Sequence, residues 1–398
     1  MPEEERKPPM PQPIAVRSVH EEFDEQVMLG CVHKLLGRSD AAIESWTCAT
    51  IDYRTPNFVN GGLFRLHGTA TVDRSFVPWS LIVKITKPDA DRAAGTHYNY
   101  WKREAFAYRS DLRGILPEGI AVPDCYAVEE KPDGRLWLWL EEIPGNTDSV
   151  WSDDEYGYAA WQIGRFHAAY LNGLPIPEED WLCRSWLRSW VAECSKYTVN
   201  VREADWHHAS ADEQRIRSVL DRYEDLLLHM PHLIDGVERL PRVLAHQDLW
   251  RKNMYIRQEP NRDMRLVLID WQFASVSGVG EELGRFYGLT MSKRYIRPER
   301  YAAYDRLLFG RYTDGLSGSG WGGDVRLARY GFCTAVAARS IWEVPKMIEL
   351  LAASRGSEGT EREAQEERAR LLLSITEVHM QLLEEAKRLH KEFGGMPN

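Results

Sequence analysis

Two neighbouring segments of the chain carry the side chains best suited to chemistry. The first reads HQDLWRKN and contains Asp248 and Asn253, and the second reads LIDW and contains Asp270. Each segment adjoins an apolar, strand-like run that can hold its side chains rigidly. Carboxylate and amide oxygens are ligands that Mg²⁺ accepts, and phosphoryl transfer also needs a carboxylate that orients or deprotonates the attacking hydroxyl. These residue types therefore favour metal-dependent phosphoryl transfer.

A lysine earlier in the chain is the next candidate. Lys84 lies inside the apolar run LIVKI, on the strand face that it shares with Ile82. A buried lysine costs free energy unless it is paired. Glu104, in the helical stretch that follows, is the expected partner, although Glu129 and Glu130 are also available. The alternative is that Lys84 extends its ammonium into solvent from an edge strand.

Periodicity assigns these residues to secondary-structure elements. We predict a helix that begins near Ser18 and ends before Gly37, because its apolar residues recur at helical spacing. Alternating patterns predict strands at 45–53, 63–72 and 79–86, which form an antiparallel meander. A helical stretch follows, and then the segments VPDCYAVEE and RLWLWLEEI add a hairpin of two strands.

The remainder of the chain is predicted to be mostly helical. Two short strand candidates, VLAHQDLW and RLVLIDWQ, interrupt it, and an amphipathic helix from roughly 360 to 393 ends it. A small β-rich half with one inserted helix thus precedes a large helical half, and the junction falls near residues 141–148. A cleft between two unlike halves is a common place for a small-molecule site.

Composition excludes several classes of protein. The 398 residues include 50 Lys and Arg against 60 Asp and Glu, a net charge of −10, which argues against a general nucleic-acid binder. The N-terminal stretch MPEEERKPPMPQP is polar and proline-rich, so we expect it to be neither a signal peptide nor an anchor, and no apolar run approaches the length of a membrane span. The six cysteines are scattered without a C-x-x-C pair, so we expect reduced thiols in a cytoplasmic protein.

The motif H-x-D-x-x-x-x-N followed by I-D-W resembles the catalytic loop and metal-binding segment of the aminoglycoside phosphotransferases and their relatives. The resemblance extends from about residue 20 to about residue 345. It implies an α+β, protein-kinase-like fold with a small antiparallel β-rich lobe and a large helical lobe. The implied organisation is a disordered tail at 1–15, a nucleotide-binding lobe at 16–143, and a helical lobe at 144–398 with the acceptor pocket.

The same resemblance implies a role for each motif residue in the catalytic segments. Asp248 would be the catalytic base, Asn253 and Asp270 the Mg²⁺ ligands, and His246 a brace behind the metal-binding strand. Tryptophan follows Asp270 where protein kinases carry phenylalanine and glycine, which indicates the small-molecule branch. His167 is expected to lie on a helix and to brace the catalytic loop.

In the nucleotide-binding lobe, the resemblance implies that Lys84 and Glu104 form a pair that holds the α- and β-phosphates of ATP or GTP. The segment RTPNFVNGG, which includes Thr55, Asn57, Asn60, Gly61 and Gly62, would cover the phosphates. It departs from the glycine-rich pattern of protein kinases, so a plain turn explains it nearly as well. At the hinge, the carbonyl of Glu141 and the N–H of Ile143 would bind the purine edge.

Two further features bear on the acceptor. Related enzymes often carry an aspartate where this chain has Glu282, which leaves the support of the catalytic loop in doubt. Trp186 and Trp190 lie in the segment where this family builds its acceptor pocket; core packing is the ordinary explanation, and stacking on an acceptor is the alternative. Acidic runs at 152–155 and 178–180 would suit a polycation but are typical of solvated helix starts.

We therefore expect a Mg²⁺-dependent O-phosphotransferase that moves the γ-phosphoryl group of ATP or GTP to a hydroxyl of a small molecule. Aminoglycosides and other antibiotics are candidate acceptors; the alternatives are a primary metabolite such as a sugar or an amino alcohol. A protein kinase is disfavoured by the I-D-W segment. A non-catalytic nucleotide-binding regulator, or pseudokinase, is the alternative from another class. No nucleic-acid or membrane partner is expected, and nothing in the sequence sets the oligomeric state.

Overall fold

The computed structural model describes residues 21–51, 59–145, 150–196, 201, 212–258 and 264–393. These residues form two compact units. The first unit comprises the described residues within Met1–Ala93, Tyr108–Ser110 and Pro123–Pro144, and the second comprises those within Ala94–Ala107, Asp111–Val122 and Gly145–Asn398. The tail predicted at 1–15 lies outside the described residues.

The first unit is one antiparallel sheet with a helix. Its elements are α1 (Glu25–Leu36), β1 (Ala42–Thr50), β2 (Asn60–Val72), β3 (Ser75–Thr86), β5 (Cys125–Glu130) and β6 (Leu136–Glu141). The strand order is β1-β2-β3-β6-β5, and every neighbouring pair is antiparallel. The predicted meander and the added hairpin are therefore confirmed.

Local sequence sets the ends of α1. The Asp24 carboxylate accepts hydrogen bonds from the backbone N–H groups of Gln26 and Val27, which caps the first turn. Gly37 ends the helix with φ +64°, a conformation that glycine adopts without steric cost. The helix begins at Glu25, directly after its cap Asp24; the predicted start near Ser18 lies outside the described residues.

Alternation along β2 and β3 builds the core of this unit. Phe64 and Leu66 on β2 and Leu81, Val83 and Ile85 on β3 are essentially fully buried. They belong to one cluster with residues of α1 and with two tryptophans of β6. Because side chains alternate along a strand, the residue between Val83 and Ile85, Lys84, lies on the opposite face of the sheet from this core.

The second unit is mainly helical. Its helices are α2 (Arg103–Arg109, whose last residues belong to the first unit), α3 (Asp153–Leu171), α4 (Trp186–Ser195), α5 (Glu213–Glu238), α6 (Glu281–Ser292), α7 (Tyr301–Gly318), α8 (Val325–Ala338), α9 (Ser340–Ser354) and α10 (Gly359–Glu392). Its strands are β4 (Ile120–Ala121), β7 (Arg242–Ala245), β8 (Met254–Gln258), β9 (Met264–Leu268) and β10 (Ser275–Gly278). They form two small sheets, β4-β9-β8 and β10-β7.

Two glycines allow α3 and α7 to pack backbone against backbone. A Cβ atom built on Gly164 would lie 2.2 Å from the carbonyl oxygen of Tyr312, and one on Gly315 would lie 2.1 Å from that of Trp161. Both separations are far below van der Waals contact, so only glycine fits at either position. This close approach fixes the position of α3, which carries His167.

The helical pattern is confirmed with one difference. The helix predicted between β3 and β5 is limited to Arg103–Arg109, and residues 97–102 form turns and irregular structure instead. The carbonyls of His97 and Tyr98 in this stretch accept hydrogen bonds from the Arg103 guanidinium. The final helix packs within the second unit, on α5, α8 and α9. In the described part of the chain, every helix is too short or too polar to cross a bilayer. The predicted α+β class is confirmed.

Candidate active site

A β-hairpin brings two of the predicted metal ligands to the same place. Met254 at the start of β8 pairs with Leu268 at the end of β9. The backbone N–H of Ile269 then donates to the carbonyl of Asn253 at 3.0 Å. Asn253 immediately precedes β8 and Asp270 follows β9, so both lie at the same end of the hairpin.

The predicted base is held by one of these residues. The Asn253 side chain donates from Nδ2 to both the carbonyl oxygen and Oδ2 of Asp248, each at 3.0 Å. The Asp248 side chain remains 18% exposed, so a substrate hydroxyl can approach it. Desolvation raises the pKa of Asp248, and the nearby guanidinium of Arg285 opposes that rise.

Two residues beside these side chains have left-handed backbone conformations. Gln247 has φ +63° and Asp270 has φ +64°. Such conformations cost free energy in residues other than glycine, and they persist where the surroundings over-determine them. Gln247 is fixed in this way, because its side chain donates to Ser277 Oγ at 2.7 Å and to Glu281 Oε1 at 2.8 Å.

Glu282 fixes the backbone of the segment from residue 246 to residue 253, which we call the HQD loop. Its Oε1 accepts from the N–H groups of His246 at 2.6 Å and Gln247 at 2.7 Å. Its Oε2 lies 2.8 Å from His167 Nε2, and His167 Nδ1 lies 2.8 Å from the Tyr312 hydroxyl. Glu282 therefore supports the HQD loop although related enzymes often carry the shorter aspartate at this position. His167 supports the loop indirectly, through its contact with Glu282.

His246 connects the HQD loop to the hairpin. Its Nε2 lies 2.8 Å from the carbonyl oxygen of Ile269, and its Nδ1 lies 3.2 Å from the N–H of Asp248. One nitrogen donates and the other accepts, which is the pattern of a neutral imidazole. Burial also lowers the pKa of His246, in agreement with the neutral form. Its ring meets Trp271 edge to face at 4.7 Å, so the predicted brace is confirmed.

Glu104 lies beside the second segment. It is 1% exposed, and its Oε1 accepts from the backbone N–H of Trp271 at 3.2 Å. Glu104 is therefore adjacent to Asp270 within the second unit. Lys84 belongs to the first unit, so its pairing with Glu104 stays a prediction.

The residues at the end of the hairpin fit a magnesium ion. Both contacts of the Asn253 amide nitrogen go to Asp248, so its Oδ1 could serve as a metal ligand at the end of the hairpin that also carries Asp270. Mg²⁺ commonly takes one or two protein oxygens and keeps several waters. Amide and carboxylate oxygens are the kind of donor that Mg²⁺ takes.

Two glycines of the first unit that are predicted to bind nucleotide lie in tightly packed positions. A Cβ on Gly61 would lie 2.7 Å from Ile85 Cγ2, and one on Gly62 would lie 2.6 Å from the Phe64 ring. Packing therefore accounts for both glycines, and their part in phosphate binding stays a prediction. Glu141 ends β6, and Ile143 follows it. Thr55 and Asn57 lie outside the described residues.

Sequence reasoning missed Arg285. Its Nη2 lies 3.4 Å from Asp248 Oδ1, its Nε donates to the carbonyl of Gln247, and its guanidinium lies 4.3 Å from the Trp186 ring centroid. Burial lowers the pKa of Arg285 to about 10, which still leaves it charged at neutral pH. The available signal was its position one turn after Glu281 and Glu282 on the inner face of a buried helix.

Arg103 was missed as well. It is fully buried, and it donates to five backbone carbonyls of the second unit. The acceptors are Gly95, His97, Tyr98, Trp181 and Gln272. Because Gln272 follows the I-D-W segment, Arg103 anchors the chain immediately after Asp270. A lone arginine beside an acidic residue gives no sequence signal for such a role.

A pocket adjoins the HQD loop. Its lining residues are Trp186, Leu187, Trp190, Gln247, Glu281, Arg285, Ala335 and Arg339. Trp186 and Trp190 stack with their ring centroids 6.1 Å apart and their planes at 9°. Trp186 is buried and Trp190 is half-buried, so the pair combines core packing with a surface that faces the pocket.

Comparison with known proteins places this geometry in a family. Residues 80–319 match the phosphotransferase enzyme family, APH. Choline/ethanolamine kinases of Rattus norvegicus and Mus musculus are each 24% identical over 187 residues, which is 46% of this chain and 43% of each relative. The chain therefore matches less than half the length of these curated relatives.

A solved structure of amicoumacin kinase hAmiN in complex with AMP-PNP, Ca²⁺ and Ami has a TM-score of 0.50 and 16% sequence identity, and the match covers 92% of this chain and 96% of that one. This likeness concerns the fold, and it confirms the fold class expected from the sequence. With its family match across the HQD loop and the I-D-W segment, the chain belongs to the phosphotransferase enzyme family.

Proposed function

We propose that this protein is a Mg²⁺-dependent O-phosphotransferase that moves the γ-phosphoryl group of ATP or GTP to a hydroxyl of a small molecule. One observation carries the proposal. Asn253 bonds to Asp248 and lies with Asp270 at one end of the β8–β9 hairpin, in a chain of the phosphotransferase enzyme family.

Asp248 is the group that acts on the acceptor. Its Oδ1 and Oδ2 lie beside Arg285 and Asn253, which hold the carboxylate in one orientation. The carboxylate accepts the hydrogen bond of the acceptor hydroxyl, aligns its oxygen for in-line attack and takes up its proton as transfer proceeds. Orientation is the larger part of this role, because little covalent chemistry is required of the protein.

Asn253 and Asp270 are the proposed ligands of the divalent ion. Mg²⁺ bound there would neutralise charge on the β- and γ-phosphates. Oδ1 of Asn253 and the carboxylate of Asp270 supply the oxygens, and Glu282 keeps the HQD loop in position through two backbone N–H groups. Lys84 and Glu104, for the α- and β-phosphates, are part of the same proposal.

Binding of the donor base is assigned to backbone groups. The carbonyl of Glu141, the last residue of β6 and the partner of Leu81 on β3, and the N–H of Ile143 are proposed to bind the purine edge. Gly61 and Gly62 are proposed to line the phosphate loop. ATP and GTP remain alternative donors.

A pseudokinase is the principal rival. It would lack the base or a metal ligand, whereas Asp248, Asn253 and Asp270 are all present in the second unit, where Asn253 bonds to Asp248 and its carbonyl accepts from the residue before Asp270. The presence of the full set favours turnover over regulation.

The experiment is a transfer assay with a panel of acceptors. Purified protein with Mg²⁺ and ATP or GTP is incubated with hydroxylated metabolites and antibiotics, and mass spectrometry seeks products heavier by one phosphoryl group. We expect at least one such product with the wild type and none with Asp248→Asn. Turnover by Asp248→Asn equal to that of the wild type would contradict the base assignment.

A further inference from the structure

Four basic side chains gather between Asp248 and the end of α6 in the second unit. Arg285 lies 3.4 Å from its carboxylate, and Lys293 follows at the end of the same helix, α6. Arg339 donates to Ser292 Oγ at 3.1 Å, and Arg368 donates to the carbonyl of Ser292 at 3.2 Å. Because Ser292 is the neighbour of Lys293, its hydrogen bonds bring both arginines to the end of α6.

Aromatic rings hold the lysine against the HQD loop. Lys293 Nζ lies 4.5 Å from the ring centroid of Trp250, two residues after Asp248. Trp250 stacks on Tyr295 with ring centroids 6.4 Å apart, and Arg251 lies 4.3 Å from the other ring of this stack. A cation over an aromatic face remains able to bind an anion from its open side.

Acidic groups near these cations do not balance them. Glu343 neutralises Arg339 at 2.5 Å, and Asp248 faces Arg285. Burial lowers the pKa of Lys293; the charge of Asp248 opposes this fall, and Arg339, Arg368 and Arg285 add to it. Apart from the Arg339–Glu343 pair, the group contains Lys293, Arg285 and Arg368 against the one carboxylate of Asp248, and this excess of positive charge favours an incoming anion.

The adjoining pocket also contains unused polar atoms. Among the described residues, Gln247 Oε1 and Arg339 Nε are buried without a hydrogen-bond partner. Both residues line the pocket beside Trp186 and Trp190. Buried polar atoms are normally satisfied, so groups of a bound molecule are a natural complement to these two.

Two carboxylates of the acidic run at the start of α3 already have partners within the protein. Asp153 pairs with Arg300 at 2.6 Å and accepts from the Tyr304 hydroxyl at 2.7 Å. Glu155 closes a capping box with Ser152. Asp153 and Glu155 thus have structural partners at the start of the helix, which is the ordinary use of such an acidic run.

We propose that the acceptor of this enzyme carries an anionic group, a carboxylate or a phosphate, bound by Lys293 and Arg285, with an apolar part against Trp186 and Trp190. The inference rests on the proposed function, since it names the substrate class of the same site. The anionic group and the reacting hydroxyl belong to one molecule. Lys293 and Arg285 bind the anionic group, and Asp248 accepts the hydrogen bond of the hydroxyl. Arg339 and Arg368 contribute charge behind the two ligands.

The test compares acceptor-like probes that differ only in charge. Calorimetric titrations, with Mg²⁺ and a non-hydrolysable ATP analogue present, measure the Kd of 3-phenyllactate, its neutral amide and the cationic amino alcohol phenylalaninol. Glycerol 2-phosphate against glycerol forms the second arm, which separates phosphate from carboxylate recognition. We expect one anion to bind about tenfold more tightly than its neutral partner, and phenylalaninol to bind most weakly.

Variants separate the charge of Lys293 from its packing. Lys293→Gln should weaken the preferred anion about tenfold and leave its neutral partner unchanged, and Lys293→Arg should restore most of the affinity. Lys346→Gln, an exposed lysine on α9 paired with Glu349, is the matched control and should change neither value.

Three outcomes would overturn the proposal: no preference for either anion, tightest binding of phenylalaninol, or an equal loss of nucleotide affinity in Lys293→Gln. The last would assign these cations to the donor phosphates. A parallel titration of nucleotide tests the proposed function on its own. Nucleotide binding without anion preference removes only this inference, whereas anion preference without Mg²⁺-dependent nucleotide binding removes only the phosphotransferase assignment.

Discussion

Asp248 is held in place by the residues around it. Asn253 and Arg285 orient its carboxylate, and Glu282 holds the backbone in front of it. Gln247 keeps a left-handed backbone at the same place, which the sequence does not reveal. At this scale, side-chain identity predicts which groups can react, and packing decides how firmly they are held.

Glu282→Gln should lower kcat more than nucleotide KM. The carboxylate accepts from three nitrogen atoms and is fully buried, and an amide offers only one accepting oxygen. We expect kcat to fall about tenfold or more and the free energy of unfolding to fall by about 2–3 kcal/mol. Steady-state kinetics and urea unfolding measure both.

Glu361→Gln, at an exposed position near the start of α10, is the control and should leave both quantities unchanged. Wild-type kcat in Glu282→Gln, with the protein folded, would show that the HQD loop does not depend on this brace.

His379 should make stability depend on pH. Burial lowers its pKa from 6.5 to about 4, beside Glu343 and Arg339. Between pH 6.5 and pH 4, His379 is therefore protonated in the unfolded chain and neutral in the folded protein. The contribution to stability is complete above pH 6.5 and is lost as the pH falls toward 4, by about 1.4 kcal/mol per unit.

Urea unfolding at several pH values checks this. The free energy of unfolding of His379→Gln should depend less on pH than that of the wild type between pH 6.5 and 4. Above pH 7 the two proteins should show nearly the same pH dependence. Identical slopes in the two proteins over the acid range would show that His379 is not held neutral.

Close helix packing is the main feature of the elements that position the site. Gly164 and Gly315 let α3 and α7 approach, and this places His167 against Tyr312 and Glu282. Alternation and helical spacing predicted the strands and most helices. They could not predict that residues before Arg103 form turns, because the cause is a buried guanidinium bonded to distant carbonyls.

Gly315→Ala should therefore destabilise the protein. Its Cβ would lie 2.1 Å from the carbonyl oxygen of Trp161, a backbone atom that cannot move cheaply. We expect the free energy of unfolding to fall by about 1–3 kcal/mol. Thermal and urea unfolding measure the change.

Gly310→Ala is the matched control on the same helix, since nothing lies within 4 Å of its added Cβ. Alanine favours helix by about 1 kcal/mol over glycine, so this variant should be neutral or more stable than the wild type. Equal destabilisation of the two variants would contradict the packing explanation.

For the whole molecule, the sequence predicted the α+β class and the family, and both are confirmed. It also predicted which segment supplies Asp248, Asn253 and Asp270, because the motif has fixed spacing. It could not predict the cations beside them. Arg285 lies on α6, Lys293 directly follows it, Arg339 lies between α8 and α9, and Arg368 lies on α10. Residues so far apart in the chain form no local sequence pattern.

The most direct test of the central claim is a calorimetric titration of a non-hydrolysable ATP or GTP analogue, with and without Mg²⁺, into the wild type, Asp248→Asn and Asp270→Ala. We predict Mg²⁺-dependent binding by the wild type, nearly the same affinity in Asp248→Asn, and loss of metal-dependent binding in Asp270→Ala. Equal affinity with and without Mg²⁺, unchanged in Asp270→Ala, would contradict the assignment of this site to phosphoryl transfer.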